Sequence, residues 1–227
     1  AILVETHSWK PYPERVRATY NTVLDALSLV AEHGAAWQAL AQAADARAMA
    51  LGGQPVPLDY TVTDAKRFVE FLGYAYTRTP SEISGALMTR YDEHTAQLWM
   101  LPLRDTVAPS LVVTAPKAGY LVPPEQAALV GAQLQVHGIA FRTLDAALPA
   151  AAVQVFEADN VKFAPTPVEG HQRATVAGQW ASATVDVPAG ALFVPIAQPK
   201  ARLLMTILEP QASDSMAAWG MFNNAFE

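Results

Sequence analysis

Cysteine is absent from all 227 residues. That excludes disulfides, thiolate metal sites and a cysteine nucleophile. No run reaches the roughly 18 apolar residues that a membrane-spanning helix requires, so no membrane span is expected. Basic charge is also scarce: 15 Lys and Arg stand against 21 Asp and Glu, for a net charge of −6. With no basic surplus and no local Lys/Arg run to neutralise phosphates, a general nucleic-acid binder is excluded. No glycine-rich loop joins a strand to a helix, and no Gly-x-Ser-x-Gly elbow occurs. The five histidines, at 7, 33, 94, 137 and 171, form neither His-x-x-Glu nor His-Glu-x-x-His, so no metal is expected within this chain.

What remains is a globular composition, 52% hydrophobic and 16% charged, in a chain long enough for one large domain or two small ones. From Pro13 to about Leu51 the pattern is helical. Pro13 suits a first helical turn, and Val16, Tyr20, Val23, Leu24, Leu27 and Val30 recur at steps of three and four, a stripe for packing onto a sheet. His33-Gly34 reads as a helix end. A second, alanine-rich helical stretch follows around Trp37, Leu40, Ala44 and Met49. Gly52-Gly53 with Pro55 and Pro57 closes it as a linker.

Beyond Asp59 short strand-like runs dominate. Segments 68–77, 84–89, 96–103 and 110–114 read as an antiparallel meander, with Asp92, Glu93 and His94 in a solvated turn. A helix is expected over 125–137, entered by Pro123-Pro124 and ended by Gly138. Strand-like runs return at 139–144, 152–158, 172–177, 183–187 and 192–195. Periodicity leaves 200–208 open between helix and strand. Ser213 is a candidate N-cap for a last helix through Trp219 and Phe222. Trp99, Trp180 and Trp219 lack the basic neighbours of a stacking platform and read as core fillers.

The first residues carry the candidate site. Ile2, Leu3 and Val4 form a continuous apolar run, the pattern of a strand buried in a parallel sheet. Chemistry in open α/β sheets collects past the carboxyl ends of strands, which is where Glu5 and His7 fall. A carboxylate there, partly desolvated, suits a general base; the alternative is a rim glutamate paired with Lys10 or Arg15. Such a strand has no partner N-terminal to it, so it implies a piece of a larger enzyme. It is expected to be disordered, to re-pair within the β region, or to self-associate with another copy of the chain.

The segment VETHSWKPYPERVRATYNTVLDAL resembles the end of the catalytic domain of bacterial zinc metallocarboxypeptidases, the carboxypeptidase A-like family. The stretches AGYLVPPEQAALVGAQLQVHGI and VPAGALFVPIAQPKARLLMTILEPQASDSMAAWGMFNNAFE resemble the β-rich region that follows the peptidase domain in one branch of that family. The resemblance implies that Glu5 is the general base that activates a zinc-bound water and passes its proton to the leaving amine. His7 takes no role from it. The family's zinc ligands and substrate-carboxylate arginines precede the glutamate strand and are not located in this chain.

The expected fold class is therefore α+β. Residues 1–33 would be the C-terminal strand and helix of a peptidase-like domain, 34–58 a helical connector and linker, and 59–227 a mainly antiparallel β accessory domain with one or two helices. Zinc and a peptide or peptide-like substrate are expected for the full-length parent, periplasmic or secreted by the resemblance. The isolated chain is expected to be inactive and to lack zinc. The alternative is a stand-alone peptide- or glycan-binding or structural β-rich module, which would need an open edge strand or an aromatic groove.

Overall fold

The computed structural model describes residues 3–6 and 10–225. The protein is an α+β mixture, an N-terminal helix followed by small antiparallel sheets. Helix α1 (Tyr12–Ala48) runs for 37 residues, about 55 Å at 1.5 Å per residue. Pro13 sits in its first turn as expected. His33-Gly34 does not end it. A glycine stop takes the left-handed conformation, and Gly34 is not among the glycines with positive φ. A glycine inside a helix costs only about 1 kcal/mol relative to alanine, and the alanines at 35, 36, 39 and 41 favour continuation. The stripe from Val16 to Val30 does not pack onto a sheet, because no residue of α1 is buried.

Next comes one long hairpin, Pro55–Thr114, drawn out in two tiers. In the lower tier β1 (Pro55–Val62) pairs antiparallel with β4 (Val107–Thr114), Pro55 facing Thr114 and Val62 facing Val107. In the upper tier β2 (Arg67–Pro80) pairs with β3 (Leu87–Leu103), from Arg67 opposite Leu103 to Pro80 opposite Leu87. Between the tiers, the Thr63 amide and hydroxyl both donate to the Thr106 carbonyl, at 3.0 and 3.1 Å. Arg67 Nε reaches Asp105 Oδ2 at 3.0 Å. Pro55 and Pro57 thus lie within a strand and not in a linker. A two-stranded sheet leaves an outer edge on each strand, the place where a missing N–H is tolerated.

The turn expected at Asp92-Glu93-His94 is a bulge inside β3. Tyr74 faces Ala96 while Ala75 faces Asp92, so residues 93–95 are looped out of an otherwise continuous ladder. Asp92 closes the bulge on itself, accepting from the His94 amide at 3.0 Å and the Thr95 hydroxyl at 2.6 Å. Its carboxyl is held below its ordinary value of 3.8, first by the Thr95 hydroxyl and then by the His94 amide.

The chain divides into two compact units. One combines the residues up to Gln54 with Ala115–Val155 and Ser182–Leu204. Here β5 (Gly119–Val122), β6 (Arg142–Thr143) and β9 (Leu192–Pro195) form a sheet in the order β5-β9-β6. Helix α2 (Pro124–Val136) starts on its proline and ends before Gly138, which takes φ +61°. Val130 and Leu134 of α2 are buried with Val122, Ile139, Leu192, Val194 and Ile196. Gly119 has to be glycine: a Cβ there would stand 2.2 Å from the Val194 carbonyl oxygen of β9. Buried Gln198 fixes the end of the sheet. Its Oε1 accepts from the Ala140 amide at 2.8 Å, and its Nε2 donates to the carbonyls of Pro195 (2.7 Å) and Ala140 (3.2 Å).

The other unit holds Pro55–Thr114, Phe156–Ala181 and the residues from Met205 on. A second hairpin, β7 (Leu148–Phe163) with β8 (Ala174–Val187), belongs to both units. Helix α3 (Ala201–Leu208) resolves the open segment 200–208. Downstream, the helix expected from Ser213 is a series of turns closed by a 3-10 segment, Asn223–Ala225. Ser213 cannot cap a helix because its amide and hydroxyl are both taken by Asp59, at 2.9 and 2.6 Å. Met216, Ala217 and Ala218 of these turns are buried.

Candidate functional site

Glu5 lies in residues 3–6, which form no strand. Leu3 is 85% exposed and Val4 44%. A buried strand is therefore not present over Leu3 and Val4 within this single chain; Ile2 lies outside the described residues. Apolar residues make a strand only where a neighbour supplies ladder bonds and cover, and α1 supplies neither. Glu5 is itself exposed, so the desolvation that would suit it to base catalysis is missing. His7 lies outside the described residues. Thr6 meets Thr19 of α1, hydroxyl to hydroxyl at 3.5 Å. A cleft of about 370 Å³ opens there, lined by Thr6, Tyr12, Arg15, Val16, Thr19 and Tyr20 and not by Glu5. Among the described residues, no group of three or more His, Asp or Glu is placed to hold a metal ion.

A different cluster is assembled on the upper tier of the long hairpin. Phe71 of β2 lies directly opposite Trp99 of β3, and Tyr76 directly opposite Tyr91. The bulge at 93–95 brings these two cross-strand pairs together. Trp99 stacks on Phe71 (centroids 6.1 Å apart, planes at 20°) and meets Tyr76 edge-on (5.8 Å, 82°) and Tyr91 at a tilt (6.3 Å, 38°). The Arg78 guanidinium lies 5.6 Å from the Tyr76 ring centroid. Gly73 makes this arrangement possible: a Cβ there would sit 2.5 Å from two carbons of the Trp99 indole. The indole lies flat on the bare backbone.

Phe71 and Tyr76 remain about half exposed. The result is an aromatic surface on a narrow two-stranded platform whose strands each have a single strand neighbour. Comparison of the chain with protein-family models, curated proteins and solved structures gives no match. The carboxypeptidase resemblance thus rests on the quoted segments alone.

The other aromatic clusters are structural. Arg173 lies 4.2 Å over the Trp219 ring and donates to the Ser213 carbonyl. His171 meets the same ring edge-on at 5.6 Å, and Trp219 Nε1 donates to Asp214. Trp180 donates to buried Glu209 at 3.1 Å and meets Phe156 edge-on. These contacts tie turns to strands. Trp99 is partly buried, like Trp180 and Trp219, but it rests on the bare backbone of Gly73. Its signal in the sequence is a glycine inside a strand pattern, which marks a close approach to the backbone.

No helix among the described residues is long and apolar enough to cross a membrane.

Proposed function

We propose that this chain is a peptide-binding module that holds an extended segment on its β2–β3 hairpin and breaks no bond in it. The observation that carries this is the half-exposed aromatic surface around Trp99. Strand addition to an open sheet edge supplies main-chain hydrogen bonds, and alternate side chains of the added strand fall on one face. Here that face would be the Trp99 surface, which offers apolar area and a quadrupole to aromatic, proline or cationic side chains. Titrating an array of extended peptides into the protein by fluorescence tests it. Saturable micromolar binding is expected, weakened at least about tenfold by Trp99→Ala at unchanged melting temperature. Saturation by glycans but not by peptides, or by neither, would refute it.

A zinc-dependent carboxypeptidase-like parent, with Glu5 as its general base, is a second proposal. It is supported by the resemblance of the quoted segments. Zinc and the peptide substrate belong to that parent. Stoichiometric zinc with peptidase activity in the 227-residue chain would contradict it.

A further inference from the structure

Helix α1 carries a pattern that neither proposal uses. Val16, Tyr20, Val23, Leu27 and Val30 advance by alternating steps of four and three, and the same alternation continues without a break through Gly34, Trp37, Ala41, Ala44 and Ala48. That is a heptad seam with Val16 at a d position and Tyr20 at an a position, sustained over most of the helix. None of it is buried; Tyr20 and Leu27 are each 60% exposed or more.

We infer that a second copy of this chain covers the seam, the two α1 helices running antiparallel and crossing at the level of Glu32. Apart from Trp37, the seam has large residues in its N-terminal half and small ones in its C-terminal half. Antiparallel pairing, which sets a against d, matches them layer by layer: Val16 with Ala48, Tyr20 with Ala44, Val23 with Ala41, and Val30 with Gly34. Leu27 and Trp37 fill the layer between. A parallel pair would stack Trp37 on Trp37 and leave Gly34 facing Gly34, crowding some layers and emptying others. Charge agrees. At the flanking e positions the antiparallel register sets Arg17 against Asp45 of the second copy, twice by symmetry. The parallel register gives neither a partner. Opposed helix dipoles add to the same preference.

The chain has no cysteine, so single introduced thiols report the register without background. Sedimentation at tens of micromolar should give about twice 24.4 kDa. Leu27→Asp, on a helix with no buried residue, should weaken the dimer at least about a hundredfold by placing a carboxylate in the seam. Oxidation should link Ala31→Cys, at the two-fold axis, and leave Ala41→Cys unlinked. A monomer at those concentrations, or Ala41→Cys linking in preference to Ala31→Cys, would overturn the inference. A monomer would also leave the seam to a sheet or to a different protein.

Discussion

Helix α1 and the β5-β9-β6 sheet belong to the same unit, yet they are stabilised in opposite ways. In the sheet, Leu192 and Val194 of the central strand are buried, and α2 adds Val130 and Leu134. In α1 nothing is buried, although its hydrophobic stripe is the longer. Burial is worth about 25 cal/mol per Å² of apolar surface, so the sheet holds its own elements together while α1 relies on helix propensity and on whatever covers it. Hydrophobic periodicity reports that a face needs cover. It does not report what the cover is.

The sharpest way to break this contrast is a pair of truncations. Leu134→Ala in α2 should lower unfolding free energy by about 2–5 kcal/mol, because it empties a fully buried site. Leu27→Ala in α1, measured by urea titration at a concentration where the chain is monomeric, should stay within about 0.5 kcal/mol. Equal effects would mean that α1 packs internally after all. A smaller effect sharpens the polar side of the comparison. Gln198→Ala strands the Ala140 amide and two carbonyls, for a loss of about 1–3 kcal/mol, visible as a lowered urea midpoint at an unchanged slope.

The smallest effect concerns the β3 bulge, which like α1 is exposed but is held by polar contacts. The Asp92 carboxyl is depressed in the folded state. Its contribution is therefore present above the ordinary value of 3.8 and is lost as pH falls through the lower folded value. The protection factor of the His94 amide, exchange relative to its intrinsic rate at each pH, should fall only in that acid window, and Asp92→Asn should remove this pH dependence.

Much of the fold was legible wherever local chemistry decides. Pro123-Pro124 and Gly138 bracket α2, and the runs at 68–77 and 96–103 lie within β2 and β3. Elsewhere context overrode the local signal. Gly34 is a stop only when it turns left-handed, and its alanine neighbours kept it helical. Pro55 and Pro57 signal a linker until a two-stranded sheet offers them an edge. Ser213 looks like a cap until Asp59, far away in sequence, claims both its groups. Of the candidate site, Glu5 was named from a strand that the structure does not contain over Leu3 and Val4. The Trp99 surface was missed because an alternating pattern shows which residues share a face but not whether that face is covered.

The position of β9 has a consequence for the order of folding. Every partner of the β2–β3 ladder lies within Arg67–Leu103, so that hairpin can zip on its own within microseconds of emerging. The β5-β9-β6 sheet cannot. Its middle strand is the last of the three to be synthesised, and until Leu192–Pro195 leave the ribosome, β5 and β6 have no ladder to join. This unit must hold β5 unpaired while residues 123–191 are made. A chaperone that binds the nascent chain would find its clearest opportunity there.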